Sequence, residues 1–347
     1  KNMELRQPLI PIVILNWNGL EVTEECLQAL KIQTYQNFEI HLVDNGSLKA
    51  EKKQLKALVE GNPKVILYDF EENLGFARGC NKVLRRLIEA KKYQYVALLN
   101  NDTVPQENWL FELVQATQKM GWDMVASKQL FYEEPQIIDN AGLTLLPTTE
   151  ILPIGAREHA KDFVKPFTCL CPSAGAGFYK LEIFEKAGLF DPFFKTCYED
   201  AELGLRAALQ GYKAGYWPKA KILHRVSYSV NRIKKDDYGK VLQTNMLFAY
   251  FGNLPFIFRI TLGNLALLKS ILVGLLGVLT FRFSLTKSQW GGWVLFFKFH
   301  KARKQKQKST KATLSNSKIW KLHKSFFGYY MKYLKQFIFS GKPTVLE

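Results

Sequence analysis

Short apolar runs recur along the first hundred residues, each closed by a polar cluster and followed by a segment of helical period. LIPIVILN (9–16) stops at Asn16, and FEIHLVDNGS (38–47) ends in Asp44, Asn45 and Ser47. KVILYDF (64–70) leads to Asn73, and YQYVALLNND (93–102) opens onto Asn100, Asn101 and Asp102. Apolar runs of this length, bounded by turn residues, are the pattern of strands buried on both faces of a parallel sheet. Between them, 21–33 places Val22, Cys26, Leu27 and Leu30 at helical spacing, 49–60 is a charged helical stretch, and 75–90 opens with glycines and continues as a helix. Alternation four times over predicts an α/β fold, a mostly parallel central sheet flanked by helices. Ligands of such sheets gather beyond the carboxyl ends of the strands, where these polar clusters stand.

Farther along, strand-like pieces fall at 125–131, 143–146 and 176–180. A helix is expected from about 199, buried through Ala201, Leu205, Ala208 and Leu209, and 213–226 reads as two short strands parted by Pro218. After about residue 240 the pattern changes. The Leu- and Phe-rich segment 246–281 is interrupted by Pro255, Arg259 and Lys269, and its longest uncharged run, Ser270 to Phe281, has 12 residues. A bilayer span takes about 20, so helices lying in the membrane interface are expected here rather than a span.

Charge sharpens that division. The net charge is +17, and residues 219–347 hold 24 of the 48 Lys and Arg but only 3 of the 31 Asp and Glu. Such a cationic region faces an anionic partner: phospholipid, nucleic acid or a polyanionic substrate. The aromatic and basic run FFKFHKARKQKQKSTK (296–311) next to Leu-rich helices suits an anionic membrane surface; a solvated basic tail is the alternative. Nucleic-acid binding finds no signature motif. The five scattered cysteines, with Cys169 and Cys171 too close for a zinc knuckle, read as reduced thiols in a cytosolic setting. The opening KNMELRQPLIPIVIL lacks the layout of a signal peptide, so export of this part is not expected.

Each candidate for chemistry has a plainer reading beside it. Asp102 could bind a divalent cation or, with Thr103 and Pro105, cap the next helix. Glu199 and Asp200 could supply a general base or compensate a helix dipole, while Glu202 and Arg206 form a structural i,i+4 pair. His224 is a ligand or a packed ring. Asp44 contacts a base or ribose, or builds an Asx turn.

As an ordered set, PIVILNWNG, HLVDNGS, ENLGFARGCN, LLNNDTV, SAGAGFYK, LFDPFFKTCYEDAELGLR and ILHR resemble family 2 glycosyltransferases, particularly the bacterial rhamnosyltransferase-like branch. The resemblance covers roughly residues 10–226 and implies a GT-A fold. It implies a catalytic domain over 1–240, with a nucleotide-sugar half to about 103 and an acceptor half over 104–240. Residues 241–347 would then be a helical, basic, membrane-associating region. It gives Asp44, Asn73, Gly75, Arg78 and Asn81 to the nucleotide-sugar pocket, with Asn16, Asn100 and Asn101 as neutral partners. Asp102 matches the last position of the DxD motif, Asn100 standing where other members have the first Asp, and His224 matches a further ligand of Mg2+ or Mn2+. Asp200 looks like the catalytic base supported by Glu199, and Gly175, Gly177 and Phe178 like the acceptor-side segment. The implied reaction is inverting transfer of a sugar, rhamnose from dTDP-rhamnose, to a glycan or lipid-linked acceptor at the cytoplasmic face of the membrane. A UDP-hexose or galactofuranose donor is the alternative, and a non-enzymatic nucleic-acid-binding protein or a scaffold with a degenerate site stands further off.

Overall fold

The computed structural model describes residues 7–194, 197–225, 235–306 and 312–323, with Gly328 and Met331. The expectations at residues 1–6, at Val226 and for the cations at 307–311 lie outside the described residues. These residues form two compact units. One takes those up to Leu143, Pro153–Ala208 and those from Tyr212 to Arg225; the other takes Thr144–Leu152, Leu209–Gly211 and those from Lys235 onward.

In the first unit the expected alternation is present: β1 (Ile10–Asn16), α1 (Leu20–Lys31), β2 (Phe38–Asn45), α2 (Lys49–Val59), β3 (Val65–Phe70), α3 (Gly75–Ala90) and β4 (Tyr95–Leu99). Then follow β5 (Thr103–Pro105), α4 (Trp109–Met120), β6 (Met124–Phe131) and β7 (Ile138–Asn140). A small ribbon, β8 (Leu143–Leu145) with β9 (Ile151–Pro153), whose Thr144–Leu152 belong to the second unit, precedes β10 (Phe167–Cys169), β11 (Ala176–Lys180), α5 (Glu182–Lys186), α6 (Glu199–Leu209) and β12 (Ala214–His224). The main sheet runs β10-β12-β6-β11-β4-β1-β2-β3, with β5 on β12 and β7 on β6. β11 is antiparallel to both β4 and β6, and β12 is parallel to β6. Strands β1 to β4, β6 and β12 therefore share one direction, and the mostly parallel expectation holds. The core is Ile10, Ile12, Ile14, Leu42, Ala97 and Leu99 from these strands against Leu27 and Leu30 of α1 and Trp109 and Leu113 of α4.

Two local expectations fail. Thr103 caps no helix: it pairs with His224 in β5, its hydroxyl donates to Asn100 O at 2.6 Å, and α4 starts only at Trp109. The segment 213–226 is one strand rather than two, because Pro218 falls where the ladder skips between Trp217 and Lys221, a bulge that needs no N–H from it.

The second unit contains α7 (Lys235–Asn253), α8 (Phe256–Leu279), α9 (Phe283–Lys306) and α10 (Asn316–Leu322). The 12-residue run did not mark an element boundary. α8 continues through both cations, since Arg259 Nε donates to Leu254 O at 2.6 Å and Lys269 Nζ pairs with Glu150 Oε1 at 2.6 Å. Among the described residues it is the one helix long and apolar enough, by length and composition, to cross a bilayer.

The expected Glu202–Arg206 pair is buried, with Arg206 Nε 2.9 and 3.0 Å from the two carboxylate oxygens. The same guanidinium donates to the carbonyls of Ala187, Gly188 and Leu189 and so ties the preceding loop to α6. Removing one member strands a buried charge, so Glu202→Gln should cost about 3 to 5 kcal/mol, read as a lowered denaturant midpoint of the full chain.

Candidate active site

The ends of the parallel strands carry a connected polar row. Asn16, Asp44 and Asp69 are register partners across β1, β2 and β3. Asn16 is fully buried; its Nδ2 reaches Asp44 Oδ2 at 3.5 Å and Ser47 Oγ at 3.3 Å. Its Oδ1 accepts from Gly19 N at 3.2 Å, Thr23 Oγ1 at 3.0 Å and Asn101 Nδ2 at 3.4 Å. Asn101 also donates to Thr23 Oγ1 at 2.8 Å. One carboxamide thus joins β1, β2, α1 and the turn after β4.

Asp44 Oδ1 accepts Ser47 N at 2.9 Å, so the Asx-turn geometry is real, and Lys52 Nζ stands 3.8 Å from Asp44 Oδ1 and 2.5 Å from Asp69 Oδ1. The turn that follows needs its glycine: Gly46 has φ +79, and a Cβ there would lie 2.2 Å from the Glu72 backbone. That close approach brings Asn45 onto the next turn, where it donates to Asn73 Oδ1 at 3.1 Å and accepts from Leu74 N at 3.1 Å. Asn73 and Arg78 are exposed beside this turn and Gly75 is half-buried. Asn81 is different: its carboxamide is spent at both ends on the backbone of Phe190, at 2.8 and 3.1 Å, which makes it a brace rather than a ligand contact.

Past β4, Asn100 N donates to Gly175 O at 2.9 Å, bringing the segment before β11 against this row. Asp200 closes the same segment from α6: its Oδ2 accepts Ala174 N at 2.9 Å and its Oδ1 accepts Ala201 N at 2.7 Å. Phe178 does not reach an acceptor. It lies in the core, stacked on Tyr95 with centroids 5.2 Å apart, because alternate residues of β11 face inward. Gly177 is likewise a packing position, where a Cβ would meet the Tyr179 ring and Ser173 O.

Burial, and then the charge of Asp200, push the Glu199 carboxyl up to about 8. Its Oε2 is enclosed without a hydrogen bond, although the residue as a whole is only half-buried. Burial also raises Asp200, against which the N–H groups of Ala174 and Ala201 favour its anion. Both carboxyls are raised, but only Asp200 has two backbone N–H groups that favour its anion.

On the other side of Asn101, His224 Nε2 lies 3.5 Å from Asp102 Oδ1, an enclosed oxygen with no hydrogen bond of its own. The ring's Nδ1 is 2.8 Å from Asp139 Oδ2 on β7. Burial lowers the imidazole's pKa, but the two carboxylates outweigh it and carry it to about 10. Arg225 backs this corner: its N–H donates to Asp102 O at 2.9 Å, its guanidinium lies 3.5 Å over the Tyr132 ring, and it pairs with Glu25 at 2.9 Å.

With the Nε2 proton given up, His224 and the Asp102 oxygen that lacks a hydrogen bond would be a donor set that Mg2+ or Mn2+ accepts, so a cation bound here displaces a proton. No group of three or more His, Cys, Asp or Glu gathers among the described residues. The set is thus a two-ligand one, suited to a cation that takes its other ligands from phosphate and water. Sequence reasoning missed Asp139 and Asp69. Asp69 closes an apolar run like its neighbours and was findable on that ground; nothing in the sequence joins Asp139 to a residue 85 positions away.

Residues 12–186 match the family described as Glycosyl transferase family 2. The chain belongs to this family. Similar proteins include the O-antigen biosynthesis protein RfbC of Myxococcus xanthus, 26% identical over 67% of this chain and 18% of that protein. Another is the glycosyltransferase GlyG of Streptococcus pneumoniae, 29% identical over 36% of this chain and 40% of that one. The chain thus spans less than half the length of these relatives. Two solved structures share the fold. One is GalNAc-T7 with UDP, GalNAc and Mn2+ (TM-score 0.55, 17% identity, 74% of this chain and 55% of that one). The other is the mannosyltransferase PcManGT of Pyrobaculum calidifontis with GDP-Man and Mn2+ (0.52, 16%, 75% and 70%). The family 2 domain here has the GT-A-like mixed α/β fold, and Asp200 and His224 lie beyond the matched residues.

Two outcomes test the site's electrostatics. The Glu199 carboxyl is held protonated by folding. It therefore costs nothing below about pH 4.5, where the unfolded chain is protonated too, and costs increasingly more up to about pH 8. Glu199→Gln should raise the thermal midpoint at pH 8 and leave it unchanged at pH 4. Asp139→Asn should weaken Mn2+ binding, followed by electron paramagnetic resonance, about 10- to 100-fold, and should lower the thermal midpoint of the metal-free chain at pH 7, where Asp139 stabilises the charged ring.

Proposed function

We propose that the chain is an inverting glycosyltransferase that moves a sugar from a nucleoside diphosphate to a hydroxyl of a glycan or lipid-linked acceptor, in the assembly of a bacterial surface polysaccharide. The observation that carries this reading is the bonding of Asn101 to Asn16. It joins the strand-end row of Asn16, Asp44 and Asp69 to the Asp102–His224 pair, while Asn100 joins Gly175 and, through its segment, Asp200. Residues to about 103 hold the nucleotide sugar and 104–240 shape the acceptor side. Rhamnose from dTDP-rhamnose is the donor we favour, on the resemblance of the motifs; a UDP-hexose or galactofuranose donor would use the same residues.

Asp44 and Lys52 address the nucleoside, and Asn73, Gly75 and Arg78 edge the donor pocket. Asp102 and His224 would hold Mg2+ or Mn2+, which when bound supplies positive charge to the leaving diphosphate. Asn100 and Asn101, being neutral, add no negative charge beside that diphosphate. Asp200 takes the acceptor's proton as its oxygen attacks the anomeric carbon and the bond to the diphosphate breaks on the opposite face, inverting the centre. Glu199, protonated, leaves Asp200 as the single anion of the pair.

With a panel of sugar nucleotides and a hydroxyl acceptor, Asp200→Asn should lower kcat about 10²- to 10⁴-fold and leave sugar-nucleotide binding intact. Unchanged turnover overturns the base assignment, and retention of anomeric configuration overturns the single displacement.

A further inference from the structure

Past its first turns, α8 is packed inside out, whereas α7 and α9 bury Leu247, Phe248, Tyr250 and Phe296. The buried arc of α8 is Phe258, Leu262, Gly263, Ala266, Ser270, Gly274 and Gly277, mostly small or polar past its first turn. Ser270 sits at the centre of a buried polar chain, accepting from Gln243 Nε2 of α7 at 3.4 Å and donating to Gln289 Oε1 of α9 at 3.1 Å. Thr286 Oγ1 donates to Gly274 O at 2.8 Å, and Trp290 fills the space a Cβ on Gly274 would need. Small residues and interhelical hydrogen bonds inside, with large apolar residues outside, is how helices pack where the surroundings are lipid.

The outward arc of α8 is the reverse. Its exposed residues fall within about 200° of the helix circumference and carry no charge, and from Leu267 onward every one is apolar, including Leu268, Ile271, Leu272, Leu275 and Leu279. Both cations of the helix, Arg259 and Lys269, lie on the covered arc with partners there. The helix is 24 residues, about 36 Å, long, far more apolar length than a water-facing surface tolerates. On α9, one exposed face interleaves Phe283, Trp290, Val294 and Phe297 with Lys287 and Lys301, the residue types of a lipid headgroup layer.

We infer that α8 lies in the plane of an anionic leaflet, its uncharged arc against the acyl chains and the α9 lysines among the headgroups. A span is disfavoured by what covers the opposite arc. Midway along α8, Lys269 is bonded to Glu150, and near its start Phe258 stacks on His323. Crossing would carry that ion pair to the bilayer centre, where charges are costly. Lying flat keeps it on the water side along the whole helix. This inference does not depend on the reaction of the first unit, and its test reads no catalysis.

The full chain, mixed with phosphatidylcholine vesicles containing phosphatidylglycerol, should sediment with them at low salt and be released by alkaline carbonate. The triple variant Leu268→Ser, Leu272→Ser, Leu276→Ser should bind at least about tenfold more weakly. Ile32→Ser, an equally exposed apolar site on the first unit, should bind as the wild type does. A matching thermal midpoint shows that the triple variant folds. Should it not fold, Trp290→Phe reads the exposed α9 face of the same membrane contact: brominated-lipid quenching of the wild-type fluorescence should drop in this variant. Carbonate-resistant association overturns the in-plane placement. A wild-type dimer that neither binds vesicles nor survives the triple substitution shows a second copy on the arc and overturns the inference.

Discussion

Parallel strands that end at one edge leave buried polar groups there, and those groups must find partners without filling the site they surround. Asn16 meets that constraint. Its amide donates toward Asp44 and Ser47, and its carbonyl accepts from Gly19, Thr23 and Asn101. An aspartate here would offer no donor to the Asp44 side, and a leucine would leave five groups short. The positions of Asp44 on one strand and of the Asn101–Asp102 turn on another are set against each other by this one side chain, at almost no cost in charge.

The charged groups around that hub are set by their own immediate partners. Glu199 and Asp200 are adjacent in sequence and share their enclosure, yet only Asp200 receives two backbone N–H groups, which favour its anion. Asp102 keeps an oxygen open and faces a ring fixed from behind by Asp139. In the turn after β4 the Asn101 carboxamide works as a connector and Asn100 connects through its backbone, while the one carboxylate, Asp102, keeps an oxygen without a hydrogen bond.

The alternation of the first hundred residues was legible because buried parallel strands are bounded apolar runs, and the polar strand ends followed from the same pattern. Thr103 misled because a Thr before a Pro is as good an N-cap as a strand start, and its pairing with His224 is a contact between residues far apart in the chain. Phe178 and Asn81 misled for a related reason. A motif marks that a residue belongs to a segment without saying whether the side chain points to the pocket or to the core, and β11 alternation and the backbone of Phe190 decided both.

The C-terminal helices show the limit of counting along the chain. Lys269 interrupts the apolar run in sequence and does not interrupt it in space, because at 100° per residue it falls on the covered side with Glu150. Arg259 is turned the same way, toward Leu254 O. A run-length measure therefore halves α8, whereas an arc measure leaves its outward face uncharged from Phe256 to Leu279. The glycines on its covered side make room for Phe251, Trp290 and Thr286. From Ala266 onward α8 turns its small residues inward and its leucines outward, the opposite of the sheet strands, where Ile12, Leu42 and Leu99 are sealed in the core. Under the in-plane placement inferred for α8, one chain satisfies the burial rule in two solvents, and which residues count as exposed depends on which of them is on the other side.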